Sequence, residues 1–521
     1  MLPQADSRTP RKPSKVRQAC DACHTRKVRC DGCKPCINCR ASSVECSYFA
    51  VHKKTGPKGG PRHGRRISQP QFPCSRTGDR GPRNPQTREM PEAAYAGDGE
   101  MGRAFQPSPR ISAGCIRWCL DAYFLHKYPL TPILDRHEID LWLQRPLNSP
   151  SQYGLLTSCC AVISLSPEIH TLQPEVEMLP ARFLIAETLR SRQHCNIVEN
   201  QSLIHVQTSF FLYASFFCLD KDNAAWYYLR EAITILQTLR LHEESTYSDA
   251  EDQVSAIYAR RMFWVLFITE RAYALQRHRP ITLQNTLNLP TIEPLSPDAE
   301  ILLGFLDLIS LFRHFDSDFI TTWNSATPSS GTDPTHLSRL QRLLKHTLSN
   351  VSGYCPVQQA DLLISREWLK VIVWKLCVSK TVLSTTDSED VMSLRYPASV
   401  ARDVVLVSRQ VPTEAFEANG IGILEKVFDV ACSLADLLSL VPMGSQASTM
   451  DVGPVDALME MVGIVGTTFG GSYKHLDMLA DKANRCLLRS IDRGLPLLEV
   501  PDVLEEEVVK NTDLPTLDLL V

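Results

Sequence analysis

Seven of the eighteen cysteines lie between Cys20 and Cys46, in the segment CDACHTRKVRCDGCKPCINCRASSVEC. Six of them, Cys20, Cys23, Cys30, Cys36, Cys39 and Cys46, follow C-x2-C-x6-C-x5-C-x2-C-x6-C, one half-motif written twice. Closely spaced cysteines serve as bridges in oxidising compartments and as metal ligands in reducing ones. The N-terminus, Met1 to Pro13, is polar and lacks the apolar centre of a signal peptide, so metal ligation is expected. Zinc takes thiolates tetrahedrally at about 2.3 Å; a C-x2-C pair supplies two from one turn, and a third cysteine closes the half after a short helix. Six thiolates cannot give two separate ions four ligands each, but they can if two sulfurs are shared. The expectation is therefore a binuclear centre with two zinc ions.

The whole motif, including Arg26-Lys27-Val28-Arg29-Cys30 and the Pro35-Cys36 step, resembles the fungal binuclear zinc cluster transcription factors. The resemblance implies that Cys20 and Cys36 bridge, with Cys23 and Cys30 terminal on one ion and Cys39 and Cys46 on the other. It also implies that Lys27, with Arg26 beside it, reads base edges, and that the target in double-stranded DNA is a CGG-type triplet. The residues alone agree in part. His24 to Arg29 carry three cations on an expected short helix held by the metal, and Lys or Arg in the major groove can donate to guanine O6 and N7 while neighbours hold phosphates. Arg26, Lys27, Arg29 and Lys34 are the expected DNA-binding residues. Cys33 departs from the pattern; it makes further C-x2-C pairs with Cys30 and Cys36, and is read as a spare loop thiol because its use would break the repeat.

Charge is distributed unevenly. Residues 1–70 hold 16 Lys and Arg against 4 Asp and Glu, leaving 39 against 54 in the remainder. A basic arm on an acidic body points to a polyanionic partner at one end. Residues 1–19 are read as a disordered basic arm, 20–46 as the zinc module, and 47–110, rich in Pro, Gly and Arg, as a disordered linker. Its run from Lys53 to Arg66 suits nuclear import or phosphate contact, and the nucleus is the expected compartment. No heptad repeat follows the cysteines, so a zipper dimer is not expected; a monomer, or a homodimer through the helical body, stays open. No stretch of about 18 apolar residues suggests a membrane span.

Residues 111–490 are expected to form a large all-α domain. In 225–241, Leu229, Ala232, Ile233, Leu236 and Leu239 recur at spacings of three and four. Residues 259–280, ended by Pro280, and 360–379 are further helix candidates. YFLHKYPLTPILDR (123–136), AWYYLREAITILQTLRLH (225–242) and RRMFWVLFITERAYALQRHRPITL (260–283) resemble, in order, the fungal transcription factor regulatory domain, or middle homology region, over about residues 115–330. Arg277-His278-Arg279-Pro280 replaces the Gly-Arg-Pro of many members. The QQADLLISREWL stretch (358–369) looks like a subset that includes regulators of sugar use. Trp226, Phe263, Trp264, Trp368 and Trp374 are read as helix core, as are Cys159, Cys160, Cys218 and Cys377. Residues 491–521 carry eight acidic residues against two basic, with leucines interspersed. Asp513 to Val521 is therefore a candidate activation segment that would bind transcriptional coactivators.

Phosphate-loop, HExxH and nucleophile-elbow motifs are missing from the sequence, and no G-x-G-x-x-G is expected to open a helix, so a non-enzymatic reading is preferred. A zinc-containing scaffold or RNA-binding protein is disfavoured because the linker lacks interleaved aromatics. The reading is a zinc-dependent, sequence-specific RNA polymerase II transcription factor, an activator of a biosynthetic gene cluster, with regulation of carbon-source genes as the alternative.

Overall fold

The computed structural model describes residues 19–48 and 105–491, apart from 167–168, 170–177, 249, 326–333, 349, 380–392, 441–452 and 469–472; the chain divides into two units, Met1–Gly97 and Asp98–Val521. The basic arm to residue 18, the linker from 49 to 104 with its Lys53–Arg66 run, and the acidic tail from 492 lie outside the described residues. No strand occurs among the described residues.

Of the expected linker, 47–110, residues 47–48 and 105–110 are among the described residues. Ser47 belongs to the zinc module, its carbonyl accepting from Asp21 N–H at 2.9 Å and its hydroxyl donating to Asp21 Oδ2 at 2.8 Å. At the other end Phe105 packs edge-on against Tyr153, ring centroids 5.3 Å apart, with the Arg190 guanidinium 5.2 Å above it.

In the second unit helices begin where the sequence supplies acceptors for free backbone N–H groups. Ser112 caps Ala113–Ala122, Asp135 caps Arg136–Leu143, Ser149 followed by Pro150 opens Pro150–Ser164, and Asp252 accepts from Val254 and Ser255 to start Gln253–Arg277. The helix expected at 225–241 runs Asp222–Thr238 and buries Leu229, Ala232, Ile233 and Leu236 as its periodicity requires, with Leu239 just past its end. The 259–280 candidate is longer and stops earlier than expected. Its C-cap is His278, at φ 51, so the left-handed turn ends the helix before Pro280 is reached.

Two apolar cores result. One gathers helices from Ala113–Ala122 to Gln253–Arg277 around Tyr123, Phe211, Leu229 and Trp264; the other gathers the later helices around Trp368, Val404 and Leu434. Phe263, Trp264 and Trp368 are fully buried, contributing about 2–3 kcal/mol each, Trp374 is buried in the second core, and Trp226 packs at the margin of the first. Phe263, Trp264, Trp368 and Trp374 are core, as expected, and so are Cys159, Cys160 and Cys377, whereas Trp226 and Cys218 are only partly buried.

The Gln253–Arg277 helix contributes to both cores and is tied down at its C-terminal half. The buried Glu270 carboxylate accepts from Arg230 at 2.7 Å and from the Thr282 and Leu283 N–H groups, each at 2.9 Å. Arg271, 1% exposed, donates to the carbonyls of Phe315, Phe267 and Leu283. Arg277 then reaches the later helix Ile421–Leu440, placing two guanidinium nitrogens 2.8 and 3.0 Å from the Glu425 carboxylate. Those contacts fix the relative position of the two cores. No helix among the described residues is long and apolar enough to cross a membrane.

Candidate metal centre and nucleic-acid interface

The first unit has two short helices, α1 (Asp21–Thr25) and α2 (Ile37–Ala41). Five residues are too few for a helix to persist alone, so the geometry must come from elsewhere. Cys20 and Cys36 occupy the N-cap positions with nearly the same extended backbone, ψ 157 and 158. The halves repeat bond for bond. His24 N–H donates to Cys20 O as Arg40 N–H does to Cys36 O, at 2.9 and 3.0 Å; Val28 donates to Cys23 O as Val44 does to Cys39 O, at 3.1 and 3.0 Å. Lys27 N–H reaches His24 O and Ser43 N–H reaches Arg40 O, with Lys27 at φ 53 and Ser43 at φ 51. This pair of bonds around a left-handed residue is the Schellman termination, which closes each helix after little more than one turn.

The sulfurs meet between the halves. Cys20 Sγ lies 3.7 Å from Cys36 Sγ and 3.5 Å from Cys39 Sγ, while Cys36 Sγ lies 3.5 Å from Cys23 Sγ. Thiolates tetrahedrally placed on one zinc at about 2.3 Å stand about 3.8 Å apart. All four are buried, and their sulfurs lie within 4.8 Å of one another. The third cysteine of each half approaches the same centre. Cys30 Sγ lies within 4.8 Å of Cys36 Sγ, and Cys46 Sγ accepts from Cys36 N–H at 3.4 Å. Cys33, by contrast, is exposed, its N–H donating to Asp31 Oδ1 at 3.2 Å.

The donors are chemically suited to a cation. The Cys39 N–H, 3.4 Å from Cys36 Sγ, pulls that thiol down to about 6, whereas burial pushes Cys23 up to about 12. Thiols this close cannot all ionise beside one another; bound cations allow it, which is how a metal ties the module's folding to its own uptake. Asp31, unremarked in the sequence reading, braces the loop between the halves. Its Oδ2 accepts from Ile37 N–H at 3.1 Å, and that bond holds its carboxyl below the ordinary range. The Asp31-Gly32 pair, with Gly32 at φ 80, is the sequence signal that could have marked this turn.

The expected DNA-binding residues are all exposed, but none lies on the helix, where Arg26, Lys27 and Arg29 are anticipated. Because the Schellman turn ends α1 at Thr25, Arg26 becomes its C-cap, Lys27 occupies the left-handed position and Arg29 follows beyond the helix. Cations at that end complement the negative pole of the helix. Arg26 also donates from Nη2 to Ser42 Oγ at 3.2 Å, spanning the two halves, and Asn38 Nδ2 donates to Arg29 O at 2.6 Å, fixing the chain beyond Lys27. Lys34 stands apart on the inter-half loop, its ammonium 5.7 Å from the Tyr48 ring centroid.

Known proteins carry the same two parts. Residues 18–55 match the fungal Zn(2)-Cys(6) binuclear cluster domain, which holds two zinc ions, and residues 120–380 match the fungal specific transcription factor domain. The maltose fermentation regulatory protein MAL13 of Saccharomyces cerevisiae is 23% identical over 428 residues, covering 81% of this chain and 84% of that protein. The probable sucrose utilization protein SUC1 of Candida albicans is 25% identical over 458 residues, 86% of this chain and 82% of its own. The azaphilone cluster-specific transcription factor azaR of Aspergillus niger is 24% identical over 301 residues, 55% of this chain and 63% of that one. With a paired cysteine module and an all-helical body matched by these two family models, the chain belongs to the fungal specific transcription factors bearing an N-terminal Zn(2)-Cys(6) binuclear cluster.

Proposed function

We propose that this chain acts in the nucleus as a zinc-dependent, sequence-specific RNA polymerase II transcription factor whose Lys27 and Arg26 read guanine edges in CGG-type triplets while Arg29 and Lys34 hold phosphates. The observation that carries it is the repeat of the two halves around Cys20 and Cys36, which leaves an exposed cationic turn as the outward feature of one half only; Ser43 stands where Lys27 does in the other. Cys20 and Cys36 would bridge, since each approaches two sulfurs of the opposite half. Cys23 and Cys30 would complete one site, and Cys39 and Cys46 the other. When bound, the two ions cross-link and neutralise the thiolates; the chain itself supplies the cations that face DNA. Fluorescence anisotropy of the full chain on CGG-containing and scrambled duplexes tests this. Selective binding that falls steeply with salt and vanishes on chelation is expected, whereas equal affinity for both duplexes overturns it.

The pathway reading is activation of a biosynthetic gene cluster, supported by the likeness to azaR. A second reading, control of carbon-source genes, is favoured by the likeness to the maltose and sucrose proteins over four-fifths of the chain. Genome-wide mapping of bound sites separates them by the genes that flank those sites. Activation would come from the acidic tail contacting coactivators. A fusion of residues 491–521 to a neutral DNA-binding domain that left a reporter silent would remove that assignment. Without a heptad repeat after the module, any homodimer would form through the helical body, which sedimentation of the full chain decides.

A further inference from the structure

The halves of the zinc module match in backbone but not in how they hold one another. Sixteen positions separate partners in the repeat, so Asn38 corresponds to Ala22 and Glu45 to Arg29. Asn38, half-buried on α2 between Cys36 and Cys39, places Nδ2 2.6 Å from the Arg29 carbonyl of the first half. Ala22 carries no polar side chain, so its position cannot return the bond to Glu45. The tie runs one way, from the half without the cationic turn to the half that has it.

That turn needs an outside hold. Lys27 sits at φ 53, a conformation unfavourable for a residue with a side chain, and one that persists only where the surroundings fix it. Its own half supplies two bonds, Lys27 N–H to His24 O at 3.2 Å and Val28 N–H to Cys23 O at 3.1 Å. On the far side of Lys27 the second half takes over, through Asn38 and the Arg29 carbonyl. Arg26 Nη2 to Ser42 Oγ, at 3.2 Å, also crosses the halves, but both residues are exposed and water competes for them.

We propose that Asn38 is a positioning residue for DNA reading: by gripping the Arg29 carbonyl it sets the direction in which Lys27 leaves the module. The role rests on the assignment of Lys27 to guanine edges made above. A donor that arrives in many orientations must give them up on binding, and a turn held beforehand has already done so. Base edges demand one direction, whereas phosphates are held by cations without reading sequence. Loss of the Asn38 amide therefore lowers selectivity more than it lowers affinity for DNA at large.

The test is a double-mutant cycle of Asn38→Ala with Lys27→Ala in the full chain, read by anisotropy on CGG-containing and scrambled duplexes. Asn38→Ala should keep both zinc ions and lower the ratio of matched to scrambled affinity about fivefold, the loss of one hydrogen bond. In the Lys27→Ala background the same change should move that ratio less than about twofold, because the residue it acts through is gone. Hydrogen exchange without DNA should show the Lys27 and Val28 amides opening faster in Asn38→Ala. Loss of zinc, equal loss on both duplexes, an undiminished effect with Lys27 already replaced, or unaltered exchange each overturns the proposal. If the wild-type chain fails to tell the duplexes apart, the guanine assignment falls instead, and the exchange comparison alone decides whether Asn38 holds the turn.

Discussion

Lys27 is asked to do two things that can be pulled apart. It occupies the left-handed C′ position of α1, at φ 53, and its side chain is assigned to guanine. A non-glycine residue there costs about 1–2 kcal/mol relative to glycine, from which the extra freedom glycine gives the unfolded chain takes back about 0.4–1 kcal/mol. Lys27→Gly should therefore leave the module as stable as before or up to about 1.6 kcal/mol more stable. Loss of the base contact, in contrast, should weaken CGG binding by about 1–3 kcal/mol, roughly 5- to 150-fold. Ser43→Gly, at the matching φ of 51, is the internal control, with the same backbone relief and no lost cation. Zinc release to a chromogenic chelator measures the first quantity, and anisotropy on matched and scrambled duplexes at fixed salt measures the second. If Lys27→Gly lost equal affinity for both duplexes, and the salt slope fell by about one, Lys27 would be a phosphate contact and the assignment to guanine would be wrong.

Three further outcomes follow from the contacts. Cys33→Ser should retain two zinc ions and full duplex binding because its thiol is exposed, whereas Cys36→Ser should lose metal and selectivity together; metal analysis of the purified chains decides, and loss of zinc from Cys33→Ser would restore a ligand role to that loop. Glu425→Ala strips the carboxylate 2.8 Å from Arg277 and leaves a guanidinium only 20% exposed, with Asp222 at 3.3 Å in partial compensation. A loss of about 2–3 kcal/mol in urea unfolding is expected, and less than about 1 kcal/mol would mean the pair does not join the cores. The Arg260 guanidinium and Asn288 N–H hold the Glu244 carboxyl down to about 2. A depressed folded pKa gives stability that is complete above the unfolded value near ~4.3 and lost as pH falls toward 2. Glu244→Gln should thus unfold at lower urea than wild type at pH 7, with the gap narrowing below pH ~4.3; a gap unchanged across that window would refute the link to this carboxylate.

The centre was legible because its information is local. Cysteine spacing alone yields a shared-sulfur cluster, and the sixteen-residue offset that relates Cys20 to Cys36 also relates the backbone bonds around them. What spacing could not show was where α1 ends. Glycine, the usual marker of a Schellman turn, is replaced by Lys27 and Ser43, so the cations were placed on a helix that stops before reaching them. The same limit applies in the body. Leu229, Ile233 and Leu236 advertise an inward face, and that face is indeed buried. Phe210, Tyr213 and Phe217 advertise one with equal strength, yet they line the wall of a cavity. Periodicity reports which side of a helix turns away from water, but whether that side meets another helix or an open space depends on elements such as the Ile421–Leu440 helix, some two hundred positions later. The long-range pair Arg277 with Glu425, separated by 148 residues, is hidden for the same reason.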